Sequence, residues 1–144
     1  MARRVFFSFH YDRDIWRVNQ IRNIGEIVGV AAAGFHDASL WEDAKTKGDK
    51  AIKALIDNGL ANTSVTVVCI GAKSAGRKYI DYEIEQSIAR GNGIVALRIN
   101  HLKDKTGMTD PVGATPQAIV NSQAPVRSYV DHAMLKKWID EAAD

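Results

Sequence analysis

The chain has 144 residues, 46% hydrophobic and 25% charged, an ordinary globular balance with room for one domain. Its net charge of +2, from 19 Lys and Arg against 17 Asp and Glu, gives no electrostatic case for nucleic acid or an anionic membrane surface. The one cysteine, Cys69, excludes an internal disulfide and suits a reducing, cytosolic compartment, and no apolar run approaches the roughly 20 residues of a membrane span.

Residues 5–9 are a β-branched and aromatic run that predicts a buried strand and lacks the length of a signal peptide. Asp12 or Asp14 can cap a helix whose apolar positions Ile15, Val18, Ile21 and Val28 recur at helical spacing. Residues 29–35, small and apolar, suit a short second strand, and 36–47 read as a loop. Gly48 and Asp49 open a second helix with the stripe Ile52, Leu55, Ile56 and Leu60, and Gly59 is its expected C′ residue. Residues 64–70 are almost uncharged and β-branched, as a parallel strand buried on both faces requires. After a turn over 71–76, Ile80, Ile84 and Ile88 stack at i, i+4, i+8 on a helix that Gly91 ends. Residues 93–99 form another buried strand. All three prolines fall between 101 and 126, and the segment 103–127 reads as loop-rich with room for one short irregular element. Asp131 caps a last helix carrying Met134, Leu135, Trp138 and Ile139.

Alternating strands and helices predict parallel βαβ units with right-handed crossovers. The expected fold is therefore α/β, flavodoxin-like, with a central parallel sheet flanked by helices in a single domain over 1–144. Ligands in such sheets lie outside the carboxyl ends of the strands, where the strand order switches. That end holds the residues after Phe9, those around 37–41 and those after Ile70.

Several common chemistries lack their residues. Neither G-x-x-x-x-G-K-[ST] nor G-x-G-x-x-G occurs, so the usual phosphate loops are missing. The histidines at 10, 36, 101 and 132 are scattered and no metal site is expected. Cys69 lies inside the strongest strand and reads as a small core hydrophobe. A phosphoacceptor site would need an Asp where the central strand ends, and the chain there is Cys69-Ile70-Gly71.

Two clusters remain. In Tyr79-Ile80-Asp81-Tyr82-Glu83-Ile84-Glu85 the isoleucine stripe puts Glu83 and Glu85 each about 100° to one side of it. They border opposite edges, so one pocket can hold one of them, and periodicity does not choose; either can also be a solvated boundary carboxylate. Tyr79 shares a face with Glu83 at i, i+4. The second cluster is aromatic and polar: Phe9-His10-Tyr11 and Phe35-His36-Asp37-Ala38-Ser39-Leu40-Trp41-Glu42-Asp43. Rings beside hydrogen-bonding groups suit a flat base and ribose hydroxyls, or equally a plugged loop with Asp37 or Asp43 as a turn residue.

These segments, with Phe6-Phe7-Ser8 and Asn62-Thr63-Ser64-Val65-Thr66, closely resemble the ThsB family of TIR-like proteins of the bacterial Thoeris anti-phage system. The resemblance runs from about Arg4 to Gly107 and fades beyond it. It implies a flavodoxin-like TIR fold and consumption of NAD+ as substrate, with no separate cofactor. It also implies release of a cyclic or modified ADP-ribose that activates a separate effector, ThsA, after an unknown phage trigger. TIR enzymes carry an essential Glu four residues after an aromatic on the helix following the third strand. That pattern is Tyr79 to Glu83, with Tyr where the family more often has Trp, and it selects Glu83 over Glu85. Ser8, Phe9, His10, Asp37, Trp41 and Tyr79 match positions that approach or cover the nucleotide. Such sites are often completed by packing subunits together, so a homo-oligomer fits the resemblance.

One carboxylate suits this chemistry. Nicotinamide in NAD+ is a cation and leaves neutral, so no general acid is needed, and the barrier is positive charge growing on the ribose carbon. Ordinary sugar hydrolysis needs two carboxyl groups instead. Two other classes fit the same fold: a non-catalytic TIR interaction or adaptor module, and a nucleoside deoxyribosyltransferase. If one such domain uses the whole length, the output is expected to leave the polypeptide as a diffusible molecule or through a partner.

Overall fold

The structure, a computed structural model, describes residues 3–22, 30–32 and 44–143. In chain order the elements are β1 (Arg3–Ser8), α1 (Tyr11–Arg22), β2 (Val30–Ala32), α2 (Asp49–Leu60) and β3 (Val65–Ile70). They continue with α3 (Lys78–Ala89), β4 (Gly93–Arg98), α4 (Gln117–Ser122), β5 (Val126–Ser128) and α5 (His132–Ala143). The five strands form one sheet in the order β2-β1-β3-β4-β5, and every pairing is parallel. This is the flavodoxin-like order, with its switch point between β1 and β3.

Strand alternation sorts the core into two layers. Val5, Phe7, Val65, Val67, Cys69, Val95 and Leu97 face Val18 and Ile21 of α1 and Leu135 and Ile139 of α5. On the opposite face Val68, Ile70 and Ala96 meet Ile80 and Ile84 of α3 and Ala118 and Ile119 of α4. Phe6 there packs on Ile52, Ile56 and Leu60 of α2. Crossovers of one hand explain the division. The chain steps one way along the sheet from β1 to β2, then the other way to β3, β4 and β5, so α1 lies opposite α2, α3 and α4.

Several local expectations change. α1 begins at Tyr11, so Asp12 and Asp14 lie within its first turn rather than before it, and the Asp14 amide donates to the His10 carbonyl. Val28 lies outside the described residues. Residues 44–47, expected as loop, are helical. Gly59 is buried inside α2, which runs on to Leu60, and the left-handed residue beyond is Asn62 at φ 65°. Gly91 does end α3 with φ 85°, and Asp131 does cap α5, its Oδ1 accepting the Met134 amide at 2.8 Å. The segment 103–127 holds the six-residue α4 and leads into β5, an unexpected strand. Three residues paired on one side are too few to show a period.

Candidate active site

Ser8 is the last residue of β1, opposite Val68 of β3 at the switch point. Alternation turns Phe7 to the α1 and α5 layer and leaves Ser8 on the α3 side. It has no solvent exposure and donates its hydroxyl to Glu83 Oε1 at 2.7 Å. The choice between Glu83 and Glu85 is made by the rotation of α3. The buried positions are Ile80, Ile84 and Ser87, while Ile88 is 44% exposed. With Ser87 in place of Ile88, the buried face turns by about 30°, leaving Glu83 about 70° from its centre and Glu85 about 130° away. Glu83 is half-buried and Glu85 is exposed.

Hydroxyl groups hold that rotation. Asn92 Nδ2 donates to Thr66 Oγ1 at 3.3 Å and to Thr63 Oγ1 at 2.9 Å. Thr66 Oγ1 donates to Ser87 Oγ at 2.7 Å, and Ser87 Oγ donates to the Glu83 carbonyl at 2.6 Å. Thr66 and Ser87 are fully buried, so rotating Ser87 outward would strand hydroxyls in the interior. An all-apolar stripe does not reveal this, and Ser87 reads in sequence as a boundary residue.

Burial pushes the Glu83 carboxyl up to about 8, against the opposing pull of the Ser8 hydrogen bond. Among the described residues no cation pairs with it. A carboxyl so placed, held by a neutral donor where the strands end, can stabilise a positive charge brought beside it. Cys69 is fully buried and burial pushes its thiol up, in keeping with a core role.

The other expected site residues separate. Phe9 follows Ser8 but packs against the α1 and α5 core, on the far side of the sheet from Glu83. His10 lies at the same strand end, half-buried. Tyr79 sits one turn before Glu83, its ring against the Phe6 cluster and its hydroxyl donating to Asp49 Oδ1 at 2.8 Å. Asp49 also binds Lys78 at 2.7 Å, and these bonds hold its carboxyl down at about 2. Asp37 and Trp41 lie outside the described residues.

A second polar cluster occupies the α1 side of the same sheet end. Asp14 is fully buried and Arg17 is 2% exposed. Arg17 Nε donates to the Leu102 carbonyl at 2.8 Å and Nη2 to the Met108 carbonyl at 3.0 Å. Its Nη1 lies 3.4 Å from Asp14 Oδ1 and 3.1 Å from Asp110 Oδ2. Arg13 reaches Asp110 at 3.0 Å, so α1 carries the loop after β4 on its polar face. Burial raises the Asp14 carboxyl while Arg17 and Arg13 oppose it. A Cβ on Gly71 would lie 2.3 Å from Asp14 Oδ2, so only glycine fits there.

Comparison with known proteins places the chain in a family. Residues 6–104 match the family described as Thoeris protein ThsB, TIR-like domain. The chain is 51% identical over 118 residues to a Bacillus cereus (strain MSX-D12) protein named "Putative cyclic ADP-D-ribose synthase ThsB1". That match covers 81% of this chain and 62% of the relative, so the chain spans less than two thirds of the relative's length. Strand order and family match point the same way, and the chain belongs to the ThsB family of TIR-like domains.

Proposed function

We propose that this domain cleaves the nicotinamide–ribose bond of NAD+ and makes a cyclic or modified ADP-ribose signal for anti-phage defence. The carrying observation is the Glu83 carboxyl, withdrawn from water and held by Ser8 at the switch point. The name of the Bacillus cereus relative supports the same reaction class.

In the step, the bond between the ribose carbon and the nicotinamide nitrogen breaks and its electron pair leaves with nicotinamide. Ionised Glu83 faces the cationic character left on the ribose carbon and stabilises it in the transition state. For a cyclic product an adenine nitrogen rather than water captures that carbon and a proton passes to solvent; which acceptor captures it sets the product. NAD+ is the substrate and no further cofactor takes part. His10, Tyr79, Asp37 and Trp41 are assigned to holding the nucleotide; Phe9, packed on the α1 and α5 side of the sheet, is not. The product acts on a separate ThsA-like effector, in the cytoplasm, and a homo-oligomer is the proposed active form.

The test is purified protein with NAD+, with and without lysate from phage-infected cells, followed by chromatography and mass spectrometry. Nicotinamide and a cyclised or modified ADP-ribose are expected. Absence of nicotinamide with the infected lysate present would sink the reading. Protection from phage that survives Glu83→Gln would favour a non-catalytic adaptor.

A further inference from the structure

We infer that Ser8 and Ser87 are positioning residues that clamp Glu83 from both ends, aiming one carboxylate oxygen at the ribose carbon. The inference rests on the NAD+-cleaving reading above and adds the machinery that orients its carboxylate.

A glutamate side chain has three rotatable bonds, and a loose carboxylate would lose much of its value as a fixed charge. Both ends are held here. Ser8 donates to Oε1 at 2.7 Å, and Oε2 takes no hydrogen bond from the described residues. Ser8 has no exposed surface, so it reaches substrate only through Glu83. At the backbone end, Ser87 donates to the Glu83 carbonyl at 2.6 Å and is itself held by Thr66 at 2.7 Å. Thr66 belongs to β3 and Ser8 to β1, the two strands flanking the switch point. The clamp therefore references Glu83 to the sheet rather than to the helix surface.

A positioned charge acts mainly when charge develops, so the clamp belongs to kcat and hardly to KM. The experiment is steady-state nicotinamide release by the full chain, activated with infected lysate, comparing the parent with Ser8→Ala, Ser8→Thr and Ser87→Ala. Ser8→Ala is expected to lower kcat about tenfold to a hundredfold, the value of one hydrogen bond to a charged group, with KM for NAD+ moving less than about twofold. Ser8→Thr, which keeps the hydroxyl, should recover most of that loss. Ser87→Ala should lower kcat about threefold with KM held, while adding a better helix former.

Parental kcat in Ser8→Ala overturns the clamp. So does a raised KM with kcat retained, which would make Ser8 a substrate contact. If Ser8→Ala does not fold, Ser87→Ala decides, and parental kcat there overturns the proposal. An active parent with indifferent variants sinks the clamp alone; a parent that never releases nicotinamide sinks the reading and the clamp together.

Discussion

Two carboxyl groups are withdrawn from water at the carboxyl end of this sheet, one on each face. Asp14, on α1, meets Arg17, with Arg13 nearby and tied to the same loop through Asp110; Glu83, on α3, meets a neutral hydroxyl. Burial raises both, yet cations oppose it at Asp14 and only Ser8 opposes it at Glu83. A carboxyl that already faces a guanidinium has less to offer a ligand. A buried carboxyl that folding leaves without a cation has its ionised form available to a cationic ligand, which is the role proposed for it toward NAD+. On the proposed function, the contrast separates a structural carboxylate from a chemical one where burial alone does not.

The largest expected effect comes from removing the carboxyl that has no cation beside it among the described residues. Glu83→Gln should cut nicotinamide release about a thousandfold, measured by chromatography. The same variant should gain stability at high pH. The folded Glu83 carboxyl titrates near 8 against 4.5 unperturbed, so its contribution to stability is fullest below 4.5 and is lost as pH rises through 8. Thermal melts should show Glu83→Gln above the parent by about 5 °C at pH 8.5, with the gap closing toward pH 5.

Breaking the paired carboxyl should act on folding instead. Arg17→Ala leaves Asp14 buried without its guanidinium and frees the Leu102 and Met108 carbonyls. The expected loss is about 3–5 kcal/mol, read by denaturant melts, with the folded fraction still cleaving NAD+ at the parental rate. A Glu83-sized loss of kcat in folded Arg17→Ala would erase the contrast. Gly71→Ala should cost about 1–3 kcal/mol by driving a methyl into Asp14. Combined with Asp14→Ser it should cost less than the sum of the two single changes, because the clash is then relieved.

The smallest effect is a slope. Glu83 must be ionised to act, so kcat/KM for NAD+ should rise about tenfold per pH unit up to about 8 and then level off. A profile flat from pH 6 to 9 would mean that substrate meets a different group.

Much of the fold is legible in the sequence because its elements announce themselves locally. The uncharged run at 65–70 is a central strand, and Ile52, Ile56 and Leu60 turn one helix face inward. β5 is not legible, since a three-residue edge strand is defined by its partner β4 and by no pattern of its own. Asp14 and Arg17 look like solvated helix residues until the loop bearing Met108 and Asp110 folds over them, more than 80 residues along the chain. Nor does local spacing show that Phe9 and Ser8 go to opposite faces of the sheet with only Ser8 meeting Glu83.

The sequence by itself determined the parallel α/β architecture and left Glu83 and Glu85 as boundary candidates beside the aromatic and acidic cluster around Asp37, because hydrophobic period and residue type are local properties. Family likeness favoured Glu83. The physical reason lay only in the tertiary structure: Asn92 donates to Thr66 and Thr66 to Ser87 in the interior, Ser87 displaces Ile88 from the buried face, and the turn of α3 carries Glu83 toward Ser8. A hydrogen-bond chain joining β3, α3 and the turn after it has no signature along the chain, and it decides which carboxyl meets Ser8 at the strand end.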